Sequence, residues 1–282
     1  TDAYGAIPYS KIGEDGKITT PYDSQEEVYN KFFEELDGAI AVLTENRNAA
    51  LVASADFVYS GNVQKWCKFA NSLKLRLAIR IAYANPSKAK EMAESAVKQE
   101  MGLIESNEDN AKWNYFGTLP NPIYTAVRYN EEKTGGDTHA AADIICYMNG
   151  YDDNRRASYF EKSKWEEQAY VGLRRSINLA KMGDYFSNYS TIKMKSSDPV
   201  LWMNAAEVAF LRAEGKAIFN FDMGGEAGNF YNQGIRLSFE QWGAAGADNY
   251  MEDAISKPAT YKDPSGVYTY EGTLSEITVK WD

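Results

Sequence analysis

Apolar residues recur at helical spacing along most of this chain, in blocks separated by Gly, Pro and Asn. The first block runs from Ser24 to Leu43. Val28, Phe32, Leu36, Ile40 and Leu43 share one face there, and Ser24 with Glu27 has the spacing of a capping box. A second helix is predicted from Gln64 to about Ala84. Trp66, Phe69, Leu73, Leu77 and Ile81 form one apolar row and Leu75, Ile79 and Ala82 another, so much of its circumference is expected to be buried. Asn85-Pro86 ends it, and Ser87 is read as the cap of a third helix reaching Glu100. The pair forms a hairpin with a very short turn.

Further on, Thr138–Met148 reads as a short helix ended by Asn149-Gly150. Asp198-Pro199 reads as a capped helix start, with the helix continuing to Phe219. A last long helix is predicted from Glu226 to Trp242, and a short one from Asp248 to Ser256. Between these blocks, Ile104–Asp137 and residues 151–197 lose periodicity but hold many aromatics, including Trp113, Tyr115, Tyr124, Tyr129, Trp165 and Tyr185. Long aromatic-rich loops of this kind are usually functional rather than disordered. The expected fold is mainly α, built of helical hairpins with a loop-rich face. Against the tetratricopeptide pattern the last hairpin matches in part: with Gly215 at the eighth place, Ala227, Tyr231 and Gly234 fall where small, aromatic and small residues belong.

Composition narrows the partners. The 282 residues carry a formal net charge of -10, which argues against a phosphate-binding basic face, and no nucleic-acid partner is expected. No apolar run is long enough to span a bilayer. The two cysteines, Cys67 and Cys146, lack metal-ligand spacing and are expected to be buried free thiols. Lys65, Lys68, Lys74, Arg76 and Arg80 decorate the second helix, where their stems are expected to cover apolar surface while their heads meet carboxylates. The lone histidine, His139, reads as a helix-start side chain rather than a catalytic base, and Asp152-Asp153 as a turn rather than a calcium loop. No cofactor or metal is expected. Thr278–Asp282 reads as a strand-like run without a closing turn, and nothing like a leader precedes Thr1, so the chain is expected to be an internal segment.

Several stretches resemble one family. Asp2-Ala3-Tyr4-Gly5-Ala6-Ile7-Pro8-Tyr9-Ser10 is similar to the YGDIPYSEA turn of the SusD/RagB superfamily, with Ala6 in place of Asp. Tyr22–Tyr29 through Leu36–Ile40 resembles its following helix, and Lys65–Ala78 its WxKFANSLKLRLA helix. Met148–Arg156 resembles its NGxxDPR element, with Asn154 in place of Pro, and Ala206–Glu214 its AEVxFLxAE helix. The matches come in the family's order and span nearly the whole chain. The resemblance implies a single SusD-like domain over residues 1–282, incomplete at both ends. It implies tetratricopeptide-like hairpins, a cell-surface place on the outer membrane through an N-terminal lipid anchor absent from this chain, and a SusC-like TonB-dependent transporter as partner.

The function this implies is non-catalytic capture of oligosaccharides for delivery to that transporter. Aromatic rings pack on the C–H faces of sugars while amides and guanidinium groups satisfy hydroxyls. The residues expected to do so are Trp113, Tyr115, Tyr124, Arg128, Tyr129, Trp165 and Tyr185. Alternatives are peptide capture within the same family, a tetratricopeptide-type protein–protein scaffold, and a glycosidase. The last would need two carboxylates facing each other across a cleft.

Overall fold

The computed structural model describes residues 1–13, 19–115, 119–128, 138–177 and 186–282. The chain groups into two compact units, residues 1–111 with 203–230 and residues 112–202 with 231–282.

The first unit is helical. Helix α1 (Gln25–Glu45) begins with the expected capping box: Ser24 Oγ accepts the Glu27 N–H at 3.2 Å while the Glu27 carboxylate accepts the Ser24 N–H at 2.8 Å. Helix α2 (Val63–Arg80) is capped by Asn62, and α3 (Pro86–Lys98) by Asn85 rather than by Ser87. Asn85 wins because its side chain reaches the Lys88 N–H at 3.1 Å, and because Pro86 at the first helical position gives up no hydrogen bond. Helix α2 is the core of the unit, with Cys67, Leu75 and Ala78 fully buried. Its cations pair as expected: Lys68 with Asp109 at 2.7 Å, Lys74 with Asp37 at 2.5 Å, Arg76 with Glu207 at 2.6 Å and Arg80 with Asp2 at 2.8 Å.

Asp198-Pro199 does not start a helix. The Asp198 carboxylate instead closes a turn by accepting the Lys195 N–H at 2.8 Å, and Val200–Met203 runs on as strand β2, hydrogen-bonded to β1 (Ala111–Trp113). Helix α7 (Ala205–Ala217) starts later, capped by Asn204, whose Oδ1 accepts the Glu207 N–H at 2.7 Å. The β-branched Val200 and aromatic Trp202 suit a strand better than a first helical turn. In α7, a Cβ on Gly215 would lie 2.9 Å from Met223 Sδ and 3.1 Å from Ile79 Cδ1, so the small residue of the repeat pattern meets a real close approach.

Ahead of α2, the buried carboxylate of Asp56 collects the N–H groups of Val58, Tyr59 and Gly61 (3.0, 3.1 and 2.7 Å) and the Trp66 indole N–H (2.8 Å). Gly61 has φ +88°, and a Cβ there would collide with the Leu51 carbonyl. Burial works against the charge of Asp56, but the Trp66, Gly61, Tyr59 and Val58 donors outweigh it and hold the carboxyl below its ordinary range. Its stabilising contribution is therefore complete above the unfolded-state value, about 3.9, and is lost as pH falls through the lower folded-state value. Asp56→Asn, which sets an amide against donors, should cost about 2–4 kcal/mol in urea unfolding at pH 7. The difference from the parent should shrink in the acid range.

In the second unit, α5 (Ala142–Gly150) starts four residues later than expected, because Ala140 and Ala141 pair in extended form with Ser190 and Leu173. A Cβ on Gly150 would collide with the Lys257 carbonyl, so the residue that ends the helix is also a point of close packing. The region read as irregular also contains α4 (Pro122–Arg128) and α6 (Arg156–Tyr159). Helix α8 (Ala227–Gln241) begins in the first unit and continues in the second, and α9 (Ala247–Met251) follows. Thr278–Asp282 is not a strand. It packs on Tyr231 of α8, whose hydroxyl donates to the Val279 carbonyl at 2.7 Å and whose ring lies 5.2 Å from that of Trp281.

The Asp152-Asp153 turn holds the most buried ion pair of this unit among the described residues. The Arg155 guanidinium meets both Asp153 oxygens, donates to Ser238 Oγ at 2.8 Å and lies over the Phe239 and Tyr250 rings at 4.5 and 5.2 Å. Side-chain exposure is 13% for Arg155 and 3% for Asp153. Arg155→Met would strand a buried carboxylate and should cost about 3–5 kcal/mol, read as a fall in thermal midpoint, with Arg155→Lys intermediate. Both cysteines are free and buried, and among the described residues no helix is long and apolar enough to cross a membrane.

Candidate functional site

The β1–β2 ribbon places the second unit's clearest ligand-competent surface. Side chains alternate between the two faces of a strand. Trp113 and Trp202 meet on one face, ring centroids 5.5 Å apart and planes tilted by 33°. The opposite face carries Lys112 and Leu201, which line a cleft. Trp202 keeps 39% of its surface exposed and Trp113 is half-buried, so the two indoles form a platform still open to solvent. Tyr115 follows β1 and is also half-buried.

Behind the ribbon the backbone is tied down by α4 and its cap. Asn121 is fully buried: its N–H donates to the Ser196 carbonyl and its Nδ2 to the Asp198 carbonyl, both at 2.8 Å, while its Oδ1 accepts the Ile123 N–H at 2.8 Å. Tyr124 and Arg128 lie one turn apart on α4. Arg128 Nη1 donates to the Ile192 carbonyl at 2.7 Å and to Thr191 Oγ1 at 3.2 Å, so part of this guanidinium braces the fold.

The expected site residues thus separate. Trp113 and Tyr115 sit on or beside the ribbon, and Tyr124 and Arg128 on α4. Trp165 is half-buried in a turn whose neighbours Lys162, Glu167 and Gln168 line a different cleft, of about 590 Å³, together with Asn149 and Arg156. Tyr129 and Tyr185 lie outside the described residues. His139 meets the Tyr189 ring edge-on at 6.0 Å. Trp202 was missed because its stretch reads as the start of a helix; the signal was the run of Val200-Leu201-Trp202 just before the cap Asn204. Among the described residues no cluster of His, Cys, Asp and Glu is arranged to hold a metal ion.

The whole chain, residues 1–282, matches the family model described as SusD-like, the SusD and RagB outer membrane lipoproteins. The chain belongs to this SusD-like family. It is 74% identical to a SusD homologue from Bacteroides uniformis, with a TM-score of 0.95 over 99% of this chain and 57% of that one. A SusD homologue from Bacteroides thetaiotaomicron is 43% identical (TM-score 0.87; 99% and 56% covered). A chitin-binding SusD homologue from Flavobacterium johnsoniae is 39% identical (TM-score 0.89; 99% and 57% covered). The SusD-like chain therefore spans somewhat over half the length of these relatives. Among curated proteins, none matches it. The mainly helical fold with tetratricopeptide-like hairpins is that of the family, and the family places it among outer-membrane lipoproteins.

If Asn121 fixes the segment that leads into β2, its removal should displace the Trp202 half of the platform. Asn121→Ala is expected to lower stability by about 2 kcal/mol. The Trp113–Trp202 distance should become variable, as read from tryptophan fluorescence and hydrogen exchange at Val200–Met203.

Proposed function

We propose that this SusD-like protein captures oligosaccharides at the cell surface without catalysis and passes them to a TonB-dependent outer-membrane transporter, with sugar rings stacking on Trp113 and Trp202. The solvent-open tryptophan pair carries this reading. Two indoles in contact at 5.5 Å and still open to solvent offer aromatic surface for the C–H faces of a sugar. Family membership supports the binding role, and a relative described as chitin-binding at 39% identity supports a saccharide ligand. A non-catalytic role is supported by family membership, the SusD-like family being one of binding proteins.

Affinity electrophoresis of the full protein through gels containing chitin oligosaccharides and a wider glycan panel tests this. At least one glycan should retard the protein, and Trp113→Ala or Trp202→Ala should each weaken that retention by about tenfold. Unchanged retention in both variants would remove the platform from the site. Binding of peptides with no glycan retarded would replace saccharide capture by peptide capture.

A further inference from the structure

The cleft on the other face of the ribbon has a volume of about 540 Å³ and lies within the second unit. Its apolar wall includes Tyr159, Trp242, Ile192 and Leu201. The Tyr159 and Trp242 rings meet edge-to-face, 4.5 Å between centroids at 71°, and Trp242 is still 40% exposed. The wall is rigidly built. Ser158 Oγ donates to the Trp242 carbonyl at 2.9 Å, Phe160 bridges to Ile192, and the Lys193 N–H donates to the Tyr159 carbonyl at 2.9 Å.

Three charged residues line this cleft: Lys112, Lys193 and Asp198. The Asp198 carboxylate is occupied by the Lys195 N–H, and Lys193 Nζ donates to the Ala157 carbonyl at 3.0 Å. Lys112 has no ion-pair partner among the described residues, although the chain carries 40 acidic side chains against 30 basic ones. An aromatic wall beside an excess of positive charge, in a chain of net charge -10, fits a ligand that joins an apolar face to an anion.

We propose that this cleft is a second saccharide site, selective for an acidic sugar: a uronate whose C–H face lies on Trp242 and whose carboxylate meets Lys112. The choice of a saccharide over another carboxylate rests on the function proposed above; the charge preference does not. Trp113 and Trp202, on the opposite face, take no part.

The test is isothermal titration of the full protein with a uronate oligosaccharide and with its carboxyl-reduced, neutral counterpart. The acidic form should bind about five- to tenfold tighter at low salt, with the difference narrowing as ionic strength rises. Lys112→Gln should abolish that preference, so that the acidic and neutral forms bind alike. Trp242→Ala should weaken acidic binding about tenfold, and Trp113→Ala should leave the preference intact. Unchanged thermal midpoints show that the variants fold. Equal affinity for the two oligosaccharides, or a preference that survives Lys112→Gln, overturns the acidic site and leaves the platform standing. A preference lost in Trp113→Ala but kept in Trp242→Ala relocates it to the platform and overturns this assignment. Failure of every saccharide to bind overturns the proposed function, and with it the saccharide occupant of this cleft.

Discussion

The second unit depends on one buried contact, the Arg155 guanidinium held between Asp153, Ser238 and the Phe239 and Tyr250 rings. A buried ion pair adds little net stability, since desolvation offsets most of the attraction, but it is strict in geometry: every donor and oxygen must be met. That strictness propagates. Arg155 directly precedes α6, whose last residue is Tyr159, and Ser238 lies four residues before Trp242. Fixing Arg155 to Ser238 therefore fixes α6 against α8, which brings Tyr159 and Trp242 to a 4.5 Å ring contact. From Phe160 the chain pairs with Ile192, and Arg128 on α4 donates to the Ile192 carbonyl. One ion pair thus sets a wall of the ribbon cleft and one anchor of α4.

The same economy of polar groups accounts for several of the tyrosines. A surplus of 20 Tyr over 12 Phe suggests half-wet, ligand-ready positions. Several of these hydroxyls are instead tied to carboxylates: Tyr189 to Asp263 at 2.7 Å, Tyr29 to Asp2 at 2.6 Å and Tyr9 to Glu35 at 2.7 Å. For Tyr29, burial first and then the Asp2 carboxylate push the phenol up to about 12, so it remains a neutral donor at any physiological pH. The acidic excess of the chain thus serves partly as internal acceptors. Exposed indoles are the scarcer feature, which is why the ribbon tryptophans weigh more in the functional argument than the tyrosine count.

Legibility in the sequence followed locality. Helices α1 and α2 and the hairpin partner α3 could be read because their apolar rows and breakers are local, and Ser24 with Glu27 formed the box their spacing predicts, although the cap of α3 moved from Ser87 to Asn85. Asp198-Pro199 misled because the same Asp-Pro signature serves a turn as well as a helix start. The choice between them was made by Val200–Met203 pairing with a strand far away in the chain. Thr138–Ala141 was lost from its helix for the same reason, through pairing with residues 173 and 190. Trp113 was legible as an aromatic in an aperiodic stretch. Its partner Trp202 was not, since nothing within either segment announces that the two will share a face.

That sharing has a consequence for how a short ribbon can serve recognition. The strand period of two divides Lys112 from Trp113 and Leu201 from Trp202, so adjacent residues face different surroundings. The indole face is suited to stacking and carries no formal charge. The lysine face adds a cation to an apolar wall, which is the basis of the charge preference proposed for the cleft. Two chemistries are therefore held in fixed relation by seven residues of strand, three in β1 and four in β2. A shift of register by one residue would exchange the faces, placing the ammonium among the indoles and a tryptophan in the cleft. The buried Asn121 opposes that shift, because its hydrogen bonds to Ser196 and Asp198 hold the chain just before β2 in a single position.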